Sequence, residues 1–213
     1  MSEKIRVLIA DDHAIVRQGF KQIFSETEDL VVAGEADDGA EALQLARQQE
    51  WDVFLLDVTM PNRNGIDTLK QLKKEFPRLP VLILSMHPEE QYAVRAIKAG
   101  ASGYLTKQSA PEQLVTAIRQ VARGKKYVSA SVAEQLVNAI TSDSEKPLHE
   151  QLTDREFQVF KLIAAGKPLT TIADELNLAV ATISTFRTRI VEKTGLRSNA
   201  EMIRYGLEHG LVE

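Results

Sequence analysis

The chain of 213 residues contains no cysteine, a single tryptophan and few aromatic residues of any kind. Without cysteine there is no disulfide framework, no thiolate metal site and no thiol nucleophile, which fits a protein of the reducing cytoplasm. No stretch approaches the roughly 18 consecutive apolar residues of a membrane-spanning helix, so no membrane partner is expected. The opening "MSEKIRVLIADD" reads as a strand followed by acids rather than as a signal peptide. There is also no excess of positive charge. The formal net charge is −4, and residues 148–213 carry eight Lys and Arg against nine Asp and Glu, a net of −1. Any nucleic-acid contact must therefore rest on local placement of charge rather than on an overall field. Repeats and low-complexity segments are absent.

What is present is 44% hydrophobic residues in a regular arrangement. Five apolar runs occur at 5–10, 30–36, 52–57, 80–85 and 103–107. They are rich in Val, Ile and Leu and do not alternate with polar residues, as strands buried on both faces should not. Helical stripes lie between them, the first formed by Ile15, Val16, Phe20, Ile23 and Phe24. Five strand–helix units in about 120 residues predict a flavodoxin-like (βα)5 fold, a five-stranded parallel sheet covered by helices on both faces. Beyond Gly124 the pattern changes. "SASVAEQLVNAI" (129–140) predicts one helix capped by Ser129 or Ser131. "TSDSEKPLHEQ" (141–151) is polar and reads as a linker. From Leu152 onward four helices follow, the first announced by the Thr153-x-x-Glu156 capping box and stopped by Gly166, the third stopped by Gly195. The expected organisation is an α/β domain over 1–125, a linker with a helix over 126–151 and an all-α domain over 152–213.

The stretch "DVFLLDVTMPNRNG" (52–65) places a carboxylate, Asp57, at the end of an apolar run. Burying an unpaired carboxylate is costly, so Asp57 either caps a local element or stands at a strand end where its charge is used. In a doubly wound sheet functional groups collect at the carboxyl ends of strands. Asp11 and Asp12 follow the first strand, Asp57 ends the third, Ser85 the fourth and Lys107 the fifth. Three carboxylates brought together repel one another unless a cation lies among them. An oxygen-only set suits a hard ion, Mg²⁺. An aspartate beside such an ion and a lysine is arranged to accept a phosphoryl group, and Ser85 can hydrogen-bond one of its oxygens.

On these residues, together with Met60-Pro61, Gly65 and Tyr104, residues 5–123 resemble the receiver domain of two-component response regulators. The resemblance implies that Asp57 is the phosphoacceptor for a sensor histidine kinase. It implies Mg²⁺ held by Asp12 and Asp57, by Asp11 mostly through water and by the Thr59 carbonyl. Ser85 and Lys107 would hold the phosphoryl group, and Tyr104 would swing inward as Ser85 moves. Residues 152–212 resemble the LuxR-type helix-turn-helix domain of NarL/FixJ-class regulators, on "LTDREFQVFKLIAAGK", "IADELNL" and "GLVE", with Ile183, Ile190, Lys193, Gly195 and Leu196 in register.

Together the two resemblances imply a transcription factor that binds promoter DNA, dimerises on phosphorylation and meets RNA polymerase. It would not be an enzyme beyond its own phosphorylation and dephosphorylation. A phosphohydrolase using Asp57 as nucleophile would need an acid two residues later, where Thr59 stands.

On the recognition helix, Val180 to Thr194, Ile183, Phe186 and Ile190 share the core face, and Ala181, Ser184, Thr185, Thr188 and Glu192 face the other way. The candidate DNA contacts are Ser184, Thr185, Arg187, Thr188, Arg189 and Lys193. Three positions depart from the family pattern. Ala179 replaces a capping serine, Ala181 a lysine and Phe186 a histidine. With so thin a cationic content, one domain should bind weakly and a dimer should be needed.

Overall fold

Strands β1 (Ile5–Ala10), β2 (Leu30–Ala36), β3 (Val53–Asp57), β4 (Val81–Ser85) and β5 (Gly103–Thr106) form one parallel sheet in the order β2-β1-β3-β4-β5 in the computed structural model. The structure describes residues 4–60, 65–86, 89–141 and 147–212. Pro61 of the Met60-Pro61 motif, linker residues 142–146 and the final Glu213 lie outside them. The chain divides into two compact units, Met1–Ile140 and Thr141–Glu213.

In the first unit, helices α1 (Ala14–Ser25), α2 (Gly39–Gln48), α3 (Gly65–Glu75), α4 (Glu89–Lys98) and α5 (Pro111–Ala122) follow the strands in turn. Val7, Ile9, Val53, Leu55, Leu82, Leu84 and Leu105 are buried in one core with Phe20 and Phe24 of α1 and Leu114, Ile118 and Val121 of α5. The residues alternating with them, Leu8, Phe54, Leu56 and Ile83, are fully buried as well. Both faces are covered, and this is why the strands read as continuous apolar runs. The register places Ala10 opposite Leu56, Asp57 opposite Leu84 and Ser85 opposite Thr106. Asp11, Asp57, Ser85 and Lys107 thus leave the sheet along a single edge.

The chain after α5 turns at Gly124, whose φ of 76° suits glycine. It then runs beside β5. The Tyr127 N–H donates to the Ser102 carbonyl at 2.8 Å, and Tyr127 pairs with Gly103 in a short parallel bridge. Helix α6 (Ala130–Thr141) starts at Ser129. The Ser129 hydroxyl accepts from Val132 N at 3.2 Å and contacts Glu89 at the start of α4, which decides between the two candidate caps.

In the second unit, a 3-10 turn at Leu148–Gln151, absent from the sequence reading, precedes α7 (Asp154–Ala164), α8 (Leu169–Glu175), α9 (Val180–Thr194) and α10 (Asn199–Glu208). Glu150 N closes the turn onto the Pro147 carbonyl at 2.8 Å, and His149 Nδ1 lies 3.0 Å from the Tyr205 hydroxyl of α10. Capping boxes start α7 at Thr153/Glu156 and α10 at Ser198/Glu201. Helix α9 starts on Ala179 with no side-chain cap. Serine or threonine there would satisfy a free N–H at the helix start. Ala179→Ser should therefore raise the stability of this unit by ~1 kcal/mol, read as an upward shift of its unfolding transition in urea.

Candidate functional site

Asp57 closes β3 almost wholly buried, and Asp11 beside it is equally enclosed. Lys107 Nζ donates to Asp57 Oδ2 at 2.7 Å and stands 2.7 Å from Asp11 Oδ2, bridging the two carboxylates. Thr59 N donates to Asp57 Oδ1 at 3.1 Å, and Lys107 N donates to the Ser85 carbonyl at 2.7 Å, which fixes the loop that carries the ammonium.

The protonation balance follows from this geometry. Burial pushes the Asp57 carboxyl up to about 6, with Lys107 opposing and Asp11 adding to the shift. Burial also works against the Lys107 ammonium, but Asp57 and Asp11 outweigh it and hold its pKa above the ordinary lysine value. The pair is unequal because one ammonium answers two buried carboxylates.

Asp12 stands exposed at the mouth of the site. Ligand atoms of Asp11, Asp12, His13 and Asp57 lie within 4.8 Å of one another. Three converging carboxylates, two of them buried and sharing one lysine, fit a hard cation. His13 was not singled out in the sequence. Its N–H donates to Asp11 Oδ1 at 2.9 Å, and its Nδ1 lies 2.8 Å from Asp12 Oδ1. Arg17 was also missed. It reaches the Asp11 carbonyl and pairs with Glu35 at 3.3 Å. The signal for both was the "DDHAIVR" run, which sets them on the turn and first helical turns after β1.

Gly65 opens α3 directly against this strand end. A Cβ there would fall 2.0 Å from the Asp57 carbonyl oxygen and 2.8 Å from Val58 Cα, both backbone atoms. Gly65→Ala should cost about 1–3 kcal/mol of stability by displacing the Asp57 end of β3. Unfolding in urea of wild type and variant checks it.

Ser85 and Tyr104 are fully enclosed and hydrogen-bonded to one another. Burial raises the Tyr104 phenol well above its ordinary value. Tyr104 thus lies inward, buried against Ser85, the position that the resemblance assigns to a moved state.

In the second unit, Ile183 and Ile190 of α9 are buried, Phe186 is half-buried, and Ala181, Ser184, Thr185, Thr188 and Glu192 are exposed. The six candidate DNA contacts divide. Arg187 is held by the Asn199 side chain at 3.0 Å and the Arg197 carbonyl at 3.3 Å. Lys193 pairs with Glu156 at 2.6 Å. Ser184, Thr185, Thr188 and Arg189 remain on the surface, and among the described residues Arg189 forms no ion pair.

A parallel (βα)5 sheet with a lysine-bridged acidic edge, linked to a four-helix unit with an exposed recognition helix, is the architecture of a two-component receiver joined to a DNA-binding domain. Residues 7–119 match the response regulator receiver domain, and residues 150–206 match the bacterial regulatory proteins of the luxR family. The chain belongs to the response regulators with a LuxR-type DNA-binding domain. It is 36% identical over 210 residues to the response regulator GacA of Pseudomonas aeruginosa, covering 98% of both chains. It is similar to the structure of RcsB from Salmonella enterica serovar Typhimurium bound to promoter rprA in the presence of phosphomimetic BeF3⁻. That similarity has 25% identity and a TM-score of 0.63 and covers 95% of this chain and 98% of that one. It is also similar to the structure of two RcsB dimers bound to two parallel DNAs, at 27% identity and a TM-score of 0.60, covering 97% and 99% of the two chains.

Proposed function

We propose that Asp57 is the phosphoacceptor through which a sensor histidine kinase switches this transcription factor. The observation that carries the reading is the buried Asp57 carboxylate at the end of β3, bridged by Lys107 to Asp11. In the transfer, an Asp57 oxygen attacks phosphorus and the bond from phosphorus to the kinase's histidine nitrogen breaks, leaving an acyl phosphate. Asp11, Asp12 and Asp57, with the Thr59 carbonyl, form the oxygen set that would hold Mg²⁺. When bound, that ion supplies positive charge against the phosphoryl oxygens. Lys107 holds a phosphoryl oxygen in the same way, with its ammonium already in place.

Ser85 has one hydroxyl proton and two lone pairs, so it can donate to a phosphoryl oxygen while accepting from the Tyr104 hydroxyl. That coupling of the two side chains biases a two-state receiver. The effect on DNA binding is through dimerisation. Among the described residues of one recognition helix, Arg189 is the cation without a side-chain hydrogen bond or ion pair, and a second copy doubles the phosphate contacts. A phosphorylated homodimer on promoter DNA in the cytoplasm, in contact with RNA polymerase, is the working form. The chain has no enzymatic role on other substrates.

The test is phosphorylation of the full chain by a small-molecule phosphodonor with and without Mg²⁺, followed by mass and electrophoretic binding to a random duplex pool. Mg²⁺-dependent label, lost in Asp57→Ala, and tighter DNA binding by the labelled form are expected. Label retained in Asp57→Ala overturns the site assignment.

A further inference from the structure

We infer that helix α9 reads thymine, through a base-facing surface made of methyl groups. This rests on the reading that α9 enters the major groove, where the N-terminal residues of a recognition helix meet base edges. At that end stand Val180, 43% exposed, and Ala181, also exposed. Neither has a polar atom beyond the backbone.

The next turns add methyl groups rather than donors. Thr185 Oγ1 donates to the Ala181 carbonyl at 3.0 Å, and Thr188 Oγ1 donates to the Ser184 carbonyl at 3.1 Å. Each threonine has a single hydroxyl proton, and it is spent on the helix itself. What each presents outward is its γ-methyl and the lone pairs of its oxygen. Arg187 and Lys193 are held within the unit by Asn199, Arg197 and Glu156. The side-chain donors left on this face are the Ser184 hydroxyl, the half-buried Thr182 hydroxyl and Arg189.

The base edges of the major groove sort against such a face. Guanine presents two acceptors, N7 and O6, and needs donors, of which the face has few: the hydroxyls of Thr182 and Ser184, and Arg189. Thymine presents a C5-methyl, which packs against alanine, valine or threonine methyl groups. Burying a methyl pair recovers apolar surface on both sides without leaving a polar group unpaired. A surface short of donors and rich in methyls therefore favours thymine-bearing half-sites. It obtains its discrimination from shape and apolar contact rather than from a bidentate hydrogen-bond code.

The experiment uses the phosphorylated full chain at low salt. Duplexes are selected from a random library, and each thymine of the enriched half-site is then replaced singly by deoxyuridine, which removes the methyl group alone. The expected result is a loss of about fourfold in affinity for each contacted methyl, at two or more positions. In Val180→Ser/Ala181→Ser the deoxyuridine penalty should disappear at the positions nearest the helix start, with the circular dichroism spectrum unchanged. If duplexes are enriched and bound but deoxyuridine leaves affinity unchanged, or the penalty at the positions nearest the helix start persists in the double variant, thymine reading is overturned while DNA binding stands. If no duplex is enriched at all, the DNA-binding reading fails and thymine reading with it.

Discussion

Lys107→Met is expected to cost the metal-free protein about 3–5 kcal/mol of stability at neutral pH and to remove most phosphoryl uptake. Two nearly inaccessible carboxylates, Asp11 and Asp57, share the Lys107 ammonium at 2.7 Å each. Methionine fills much of the lysine stem's volume, so the loss reads charge rather than a cavity. Removing the cation leaves both acids buried without their shared ammonium and close to a third carboxylate, Asp12, and like charges that close cannot all stay ionised cheaply. Two features separate this account from a simple packing defect. The loss should shrink as pH falls toward 5, because protonating one carboxyl removes the repulsion. It should also shrink on adding Mg²⁺, which replaces the missing positive charge. Thermal unfolding across pH, with EDTA or with Mg²⁺, measures both, and a loss indifferent to pH and metal would show that the lysine is only packing.

Asp57→Asn is expected to do the opposite to stability while abolishing phosphorylation. Burial pushes the Asp57 carboxyl up to about 6 in the folded protein, against roughly 3.9 in an unfolded chain. The folded state therefore keeps a proton that the unfolded state has already released between those values. The stabilising contribution is complete below about pH 4 and is lost as pH rises through 6. The difference corresponds to ~3 kcal/mol for this buried group. Asparagine has no such titration and can still accept from Lys107. Without metal, the variant should gain on the wild type between pH 4 and 7 and keep its advantage above. With Mg²⁺ present the order should narrow or reverse, because the ionised wild-type carboxylate binds the ion and is stabilised by mass action. Parallel wild-type and variant curves across pH in EDTA would refute this account of Asp57.

Much of the receiver was legible in its sequence because its strands are buried on both faces. That demands unbroken Val, Ile and Leu, and the polar residue that ends each run then marks the strand's carboxyl end. Once the runs alternate with helical stripes, topology alone brings Asp11, Asp57, Ser85 and Lys107 to one edge. The support around them was harder to see. His13 and Arg17 hold the Asp11 turn through a ring nitrogen, a main-chain N–H and a guanidinium. None of these contacts has a sequence signature beyond proximity. The helical half shows the same division more sharply. The Thr153 capping box is local and was readable, while the Ser198/Glu201 box of α10 is equally local but was not singled out. Lys193 meets Glu156 from 37 residues away, and Arg187 meets Asn199 across a turn.

By itself the sequence determined the order of elements, the buried strands and the acids at their ends, because periodicity and capping are properties of neighbours along the chain. It also determined that the recognition helix would have little positive charge. Only the tertiary structure decided how the polar groups spend their bonds. It placed Lys107 between two carboxylates, closed Tyr104 onto Ser85, and committed Arg187 and Lys193 to partners within their own unit. The physical reason is that a side chain's donors and acceptors are few, and which of them remain for a ligand depends on what the fold brings within about 3 Å of them.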